Sequence, residues 1–89
     1  MANTASAIKR VRQEAKRRAR NHAVKSRMRT HIKHANEAIA HGDRELAAEA
    51  VRSAISEIDR AASKGVIHSN NASRNKSRLM MRLNGLSER

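Results

Sequence analysis

Between residues 46 and 62 the apolar positions are Leu46, Ala47, Ala50, Val51, Ala54, Ile55, Ile58, Ala61 and Ala62. This is the i, i+3, i+4 spacing of a helix with one buried face. Upstream, Val24, Met28, Ile32, Ala35 and Ile39 make a matching seam, and downstream Ala72, Leu79, Leu83 and Leu86 make a third. Gly42 and Gly65 separate the three segments. Each stands where a helix C′ residue is wanted, because glycine enters the left-handed region without a Cβ penalty. The pattern predicts helices at about residues 7–41, 44–64 and 70–84. Ser6 is the expected N-cap of the first, Asp43 of the second, and Ser69 or Asn70 of the third. Val66 takes the C″ position of a Schellman-type stop after Gly65. Short connections make successive helices antiparallel neighbours, so the expected fold is all-α: one domain, a three-helix antiparallel bundle with a long, protruding basic N-terminal helix.

Helix lengths produce the protrusion. A first helix of about 35 residues is roughly 52 Å long, whereas a second of about 21 spans roughly 32 Å and covers only part of it. At 100° per residue, Arg10 and Arg17 fall on the azimuth of the seam at 24–39, so the core stripe stops upstream of Val24. Ile8, Val11, Ala15 and Ala19 form a separate narrow stripe roughly 145° around the helix from that seam. Met80 and Met81 read most simply as core and core edge.

Composition removes whole classes of chemistry. The 89 residues contain no Phe, Tyr, Trp, Pro or Cys. Ala-rich seams suit closely packed helices, and sandwiches favour β-branched and aromatic residues instead. Without cysteine there is no disulfide, thiol nucleophile or cysteine-based zinc site, which fits a reducing cytosol. No apolar run approaches the ~20 residues of a membrane span, and the N-terminus lacks the apolar stretch of a secretory signal.

Charge supplies the functional clue. The net charge of +12 is polarised: residues 1–36 hold eleven Lys and Arg against Glu14 alone, and residues 37–59 hold six acids against two bases. The basic set is Lys9, Arg10, Arg12, Lys16, Arg17, Arg18, Arg20, Lys25, Arg27, Arg29 and Lys33. A solvated helix usually interleaves signs at i, i+4, but here Arg12 meets Lys16, Lys16 meets Arg20, Lys25 meets Arg29 and Arg29 meets Lys33. Each like-charge pair costs about 0.2–0.5 kcal/mol, a cost that a polyanionic partner offsets. Readers of single strands stack bases on aromatic rings, and this chain has none, so backbone recognition of folded RNA or a duplex is expected. A second polar and basic patch gathers His68, Asn70, Asn71, Ser73, Arg74, Lys76, Ser77 and Arg78 at the start of the third helix. Arg74, Arg78 and Arg82 are expected to point away from its seam.

Nothing in the sequence points to catalysis, a metal or a cofactor. His31 and His34 are i, i+3 neighbours with no carboxylate at ligand spacing. The acids Glu37, Asp43, Glu45, Glu49, Glu57 and Asp59 read as a solvated face that also balances the basic arm. No nucleophile and base pair, and no phosphate-cradling glycine loop, is present. Two other readings of the basic helix are weaker. A DNA-binding basic region needs sustained heptads beyond it, and Gly42 ends this helix too early. A membrane-surface helix needs a broad apolar face, and residues 9–20 are charged nearly all round.

Several runs carry a family likeness: Ser6-Ala7-Ile8-Lys9-Arg10, Lys16-Arg17-Arg18-Ala19-Arg20-Asn21 and Ser26-Arg27-Met28-Arg29-Thr30. Asp59-Arg60-Ala61-Ala62-Ser63-Lys64-Gly65-Val66-Ile67-His68 and Asn75-Lys76-Ser77-Arg78-Leu79 are more specific. Nearly end to end, the chain resembles the ribosomal protein S-twenty family of the bacterial small subunit. The resemblance implies a cytoplasmic three-helix protein bound directly to 16S rRNA in the body of the small subunit and acting early in assembly. It carries rRNA contact onto the basic residues of the first helix, with Asn21, and onto residues 64–78, including Lys64, His68, Asn70, Arg74, Lys76, Ser77 and Arg78. The free protein is expected to be a monomer with no membrane or small-molecule partner, with residues 7–20 frayed until they order along RNA.

Overall fold

The computed structural model describes the backbone of residues 2–87 and the side chains of residues 4–86. It contains α1 (Ala2–His41), α2 (Arg44–Ser63) and α3 (Ser69–Ser87), with no strand among the described residues. α1 and α2 form an antiparallel hairpin, and α3 turns back beside α2. This is the expected all-α bundle with a protruding first helix.

Each boundary has a local cause. The Gly42 N–H donates to the carbonyls of Ala38 (3.3 Å) and Ile39 (3.2 Å), and its φ of +94° turns the chain out of α1. Asp43 then caps α2: its Oδ1 accepts from the backbone N–H groups of Glu45 (3.1 Å) and Leu46 (3.2 Å). α2 ends in a full Schellman motif around Gly65, at φ +73°. The Val66 N–H donates to the Ala61 carbonyl at 2.9 Å and the Gly65 N–H to that of Ala62 at 3.0 Å. Two boundaries differ from the sequence reading. α1 continues upstream through Ser6, which caps nothing. α3 is capped by His68 in place of Ser69 or Asn70: the Asn70 N–H donates to Nδ1 of His68 at 3.0 Å, and the Ala72 N–H to the His68 carbonyl at 3.1 Å. α3 also runs beyond Asn84 to Ser87, through Gly85.

α2 is the centre of the bundle and contributes Ala47, Val51, Ala54, Ile58 and Ala61 to the interior. α1 adds Met28 and Ala35, and α3 adds Ala72 and Leu79. Val24, Ile32, Ile39, Val66, Ile67 and Leu83 close over them. Ile58, Leu79 and Val51 are the largest fully buried side chains, each contributing roughly 1.5–3 kcal/mol of transfer free energy. The alanines between them let the helices approach closely.

The apolar pattern overstates the core in two places. Met80 is 41% exposed and Met81 69%, so neither is a core residue. Leu79 takes the inward position on that turn, and the next two residues rotate about 100° and 200° away from it. Leu46 is 55% exposed, because at the first turn of α2 the chain has only just left the end of α1.

Candidate nucleic-acid interface

α1 has 40 residues and α2 has 20, so at 1.5 Å per residue half of α1 has nothing opposite it. The molecule is accordingly elongated, 69 × 21 × 13 Å. Every side chain from residue 4 to residue 20 is exposed, and the first to be partly covered are Asn21 and Val24. The arm therefore presents Lys9, Arg10, Arg12, Lys16, Arg17, Arg18 and Arg20 around its circumference. Lys25, Arg27, Arg29 and Lys33 continue the basic surface along the outside of the bundle, all exposed.

None of these eleven cations has an ion-pair partner among the described residues. The ion pairs lie elsewhere: Arg60 with Glu57 at 2.9 Å within α2, and Lys76 of α3 with Asp59 of α2 at 2.8 Å. The acids of residues 37–59 thus do not balance the arm as the sequence suggested. Glu57 and Asp59 pair with Arg60 and Lys76, Glu37 stands exposed on α1, and the eleven cations are left without an ion-pair partner among the described residues.

The α3 patch divides. Arg74, Ser77, Arg78, Asn70 and His68 are exposed, as is Lys64 at the end of α2. Lys76 is turned inward to Asp59. Arg82 does not point away from the seam: its Nη1 donates to Oδ1 of Asn36 on α1 at 2.6 Å. Lys76 and Arg82 flank the apolar seam of α3 on its two sides, one tied to α2 and the other to α1.

The fold also joins the two basic patches that the sequence kept separate. Lys25 and Arg29 of α1 face His68, Asn71 and Asn75 across a recess of about 470 Å³ floored by Met28, Ile32, Val66 and Ile67. Its lining includes no carboxylate. The His68 cap fixes the ring: Nδ1 accepts the Asn70 N–H, so the proton of the neutral imidazole is on Nε2. Asn75 Nδ2 donates to Asn71 Oδ1 at 2.8 Å, which orients both amides at the recess. In the sequence Asn75 figures only as the first residue of the Asn75-Lys76-Ser77-Arg78-Leu79 run, with no site role of its own. Its position opposite Arg29 exists only once α3 lies along α1.

Other chemistry finds no support. His31 and His34 meet edge to face, with ring centroids 6.3 Å apart. Among the described residues there is no group of three side chains able to hold a metal ion, and no helix is long and apolar enough to cross a membrane.

Comparison with known proteins agrees with this geometry. The family model described as Ribosomal protein S20 matches residues 2–84. The small ribosomal subunit protein bS20 of Shouchella clausii is 55% identical over 87 residues, covering 98% of this chain and 99% of its own. The protein of the same name from Geotalea daltonii is 56% identical over 87 residues, covering 98% and 100%. That from Nitrosomonas europaea is 57% identical over 79 residues, covering 89% and 91%. A match across helices, turns and basic arm together settles the kinship: the chain belongs to the ribosomal protein S20 family, a family of structural ribosomal proteins and not of enzymes.

Proposed function

We propose that this protein is a cytoplasmic constituent of the small ribosomal subunit that binds 16S rRNA directly through α1 and stabilises its folding during subunit assembly. One observation carries the reading: eleven exposed cations on α1 have no anionic partner among the described residues, and seven of them lie on an arm that no other helix covers. Phosphates supply the missing partner, and the counterions they release on binding drive association. Arg forks hold phosphates in fixed geometry, which suits a folded RNA better than loose electrostatic wetting. The exposed cations of α3, Arg74 and Arg78, face a second stretch of the same RNA, with Lys25 and Arg29 between the two. The apolar seam of α1 is consumed by α2 and α3 within one chain, which supports a monomer when free.

The test is the salt dependence of binding to 16S rRNA. Each phosphate-neutralising cation removed lowers the log–log salt slope by about one. Arg17→Ala and Arg18→Ala are expected to weaken binding and flatten the slope, while Arg44→Ala, on acidic α2, leaves both near wild type. Equal effects at all three positions would overturn the assignment of the arm.

A further inference from the structure

The apolar stripe of the arm is absorbed neither by the bundle nor by the charge. Ile8 is 50% exposed and Val11 63%, and Ala15 and Ala19 continue the line, all four within about 80° of arc along roughly 16 Å of helix. On one side of the stripe stand Arg18 and, past its end, Lys25, with the acid Glu14 beside them, and on the other side stand Arg12 and Lys16, at the azimuths set by 100° per residue. Arg10 and Arg17 lie on the opposite face. The helix thus presents an apolar strip with Arg12 and Lys16 along one edge and Arg18 and Lys25 along the other, the second edge carrying the acid Glu14 as well.

That arrangement selects its occupant by charge. A second copy of the chain would bring like rows together, which is repulsive. A lipid surface requires a broad apolar face, and this one is a narrow stripe of four residues, two of them alanine. An A-form duplex offers the complement: a wide, shallow minor groove floored by riboses and walled by two phosphate strands. Its deep, narrow major groove does not admit a helix about 10–12 Å across. Ala15 and Ala19 let the helix backbone come close to the groove floor.

We infer that α1 lies with Ile8, Val11, Ala15 and Ala19 against the minor groove of an RNA duplex, with Arg12 and Lys16 on one phosphate strand and Arg18 and Lys25 on the other. The inference rests on the RNA-binding reading above and adds the groove and the face of the helix. Arg10 and Arg17 then face a different RNA segment, so the arm is held between two.

The experiment compares full-length wild type, the Ala15→Leu/Ala19→Leu double variant and the Arg17→Ala/Arg18→Ala double variant, each binding 16S rRNA, with ribose protection mapped by hydroxyl-radical footprinting. Leucine keeps the helix propensity high, and circular dichroism verifies the fold. The leucine variant is expected to bind about tenfold more weakly or worse, because its bulk lifts the helix from the groove floor. It is also expected to lose protection of riboses on both strands of one duplex that the wild type protects. Wild-type affinity in the leucine variant, or protection confined to single strands, overturns the minor-groove placement while weakening by the arginine variant keeps RNA binding intact. Wild-type affinity in both variants overturns the RNA-binding reading itself. Vesicle binding or self-association of the wild type that the leucine variant loses, with its rRNA affinity unchanged, assigns the stripe elsewhere and overturns the proposal.

Discussion

His68 does two things that a list of residue types does not reveal. Its imidazole Nδ1 caps α3, and its ring stands at the edge of the recess between α1 and α3. His68→Ala is expected to cost about 1 kcal/mol in denaturant unfolding, within the usual range for losing a cap, and His68→Asn to recover most of it by restoring an acceptor. Lys76 and Arg74 are alike as cations in the sequence, two residues apart on one helix. The structure separates them, because Lys76 reaches Asp59, 17 positions away in the chain, and Arg74 stands exposed with no ion-pair partner among the described residues. The partly exposed pair is worth about 0–1 kcal/mol. In rRNA titrations Arg74→Ala is therefore expected to lower affinity more than Lys76→Ala, whose main effect is a small loss of thermal stability. No local pattern distinguishes these residues, since their partners lie on another helix.

α1 is one helix in backbone and two in energetics. Downstream of Asn21 its inner face is packed by α2 and α3, and upstream its hydrogen bonds are supported only by its own propensity, against several like-charge pairs. Isolated helices of this length are marginal in water. In the free protein, amide exchange at residues 11–19 is expected to be much faster than at residues 51–58, and rRNA should slow it. Equal protection in the free protein would contradict this. That division was legible in advance, because Arg10 and Arg17 interrupt the azimuth that Val24, Met28 and Ile32 occupy. The start of α1 was not: Ser6 has the chemistry of a cap, but a polar residue followed by helix-forming residues on both sides is equally at home inside the helix.

At the scale of the whole molecule, a small alanine-rich core joins the three helices. Ile58 and Leu79, at 0% and 1% exposure, belong to a core cluster to which all three helices contribute. Ile58→Ala is expected to cost about 2–5 kcal/mol, a large share of the roughly 5–15 kcal/mol typical of a domain, measured as a fall in the urea midpoint. Charge follows the same division of labour. Four acids lie on α2, two of them in the ion pairs described, and cations without an ion-pair partner among the described residues spread over α1 and α3. The exposed cations of α1 thus run along the length of a molecule 69 Å in its longest extent.

The helical class, the two glycine turns, the Asp43 cap, the inward faces of α1 and α2 and the basic arm were all legible in the order of residues. These depend on local rules: 3.6-residue periodicity, left-handed glycine and charge counted along one helix. Tertiary contacts were needed to turn Lys76 and Arg82 to partners within the protein, to leave Met80, Met81 and Leu46 at the surface, and to bring Lys25 and Arg29 to a recess with Asn71 and Asn75. Each of these depends on the rotation of one helix against another. Neighbours only 100° apart on a helix take opposite fates according to that angle, and the angle is set by packing around Ile58 and Leu79 rather than by any residue's own chemistry.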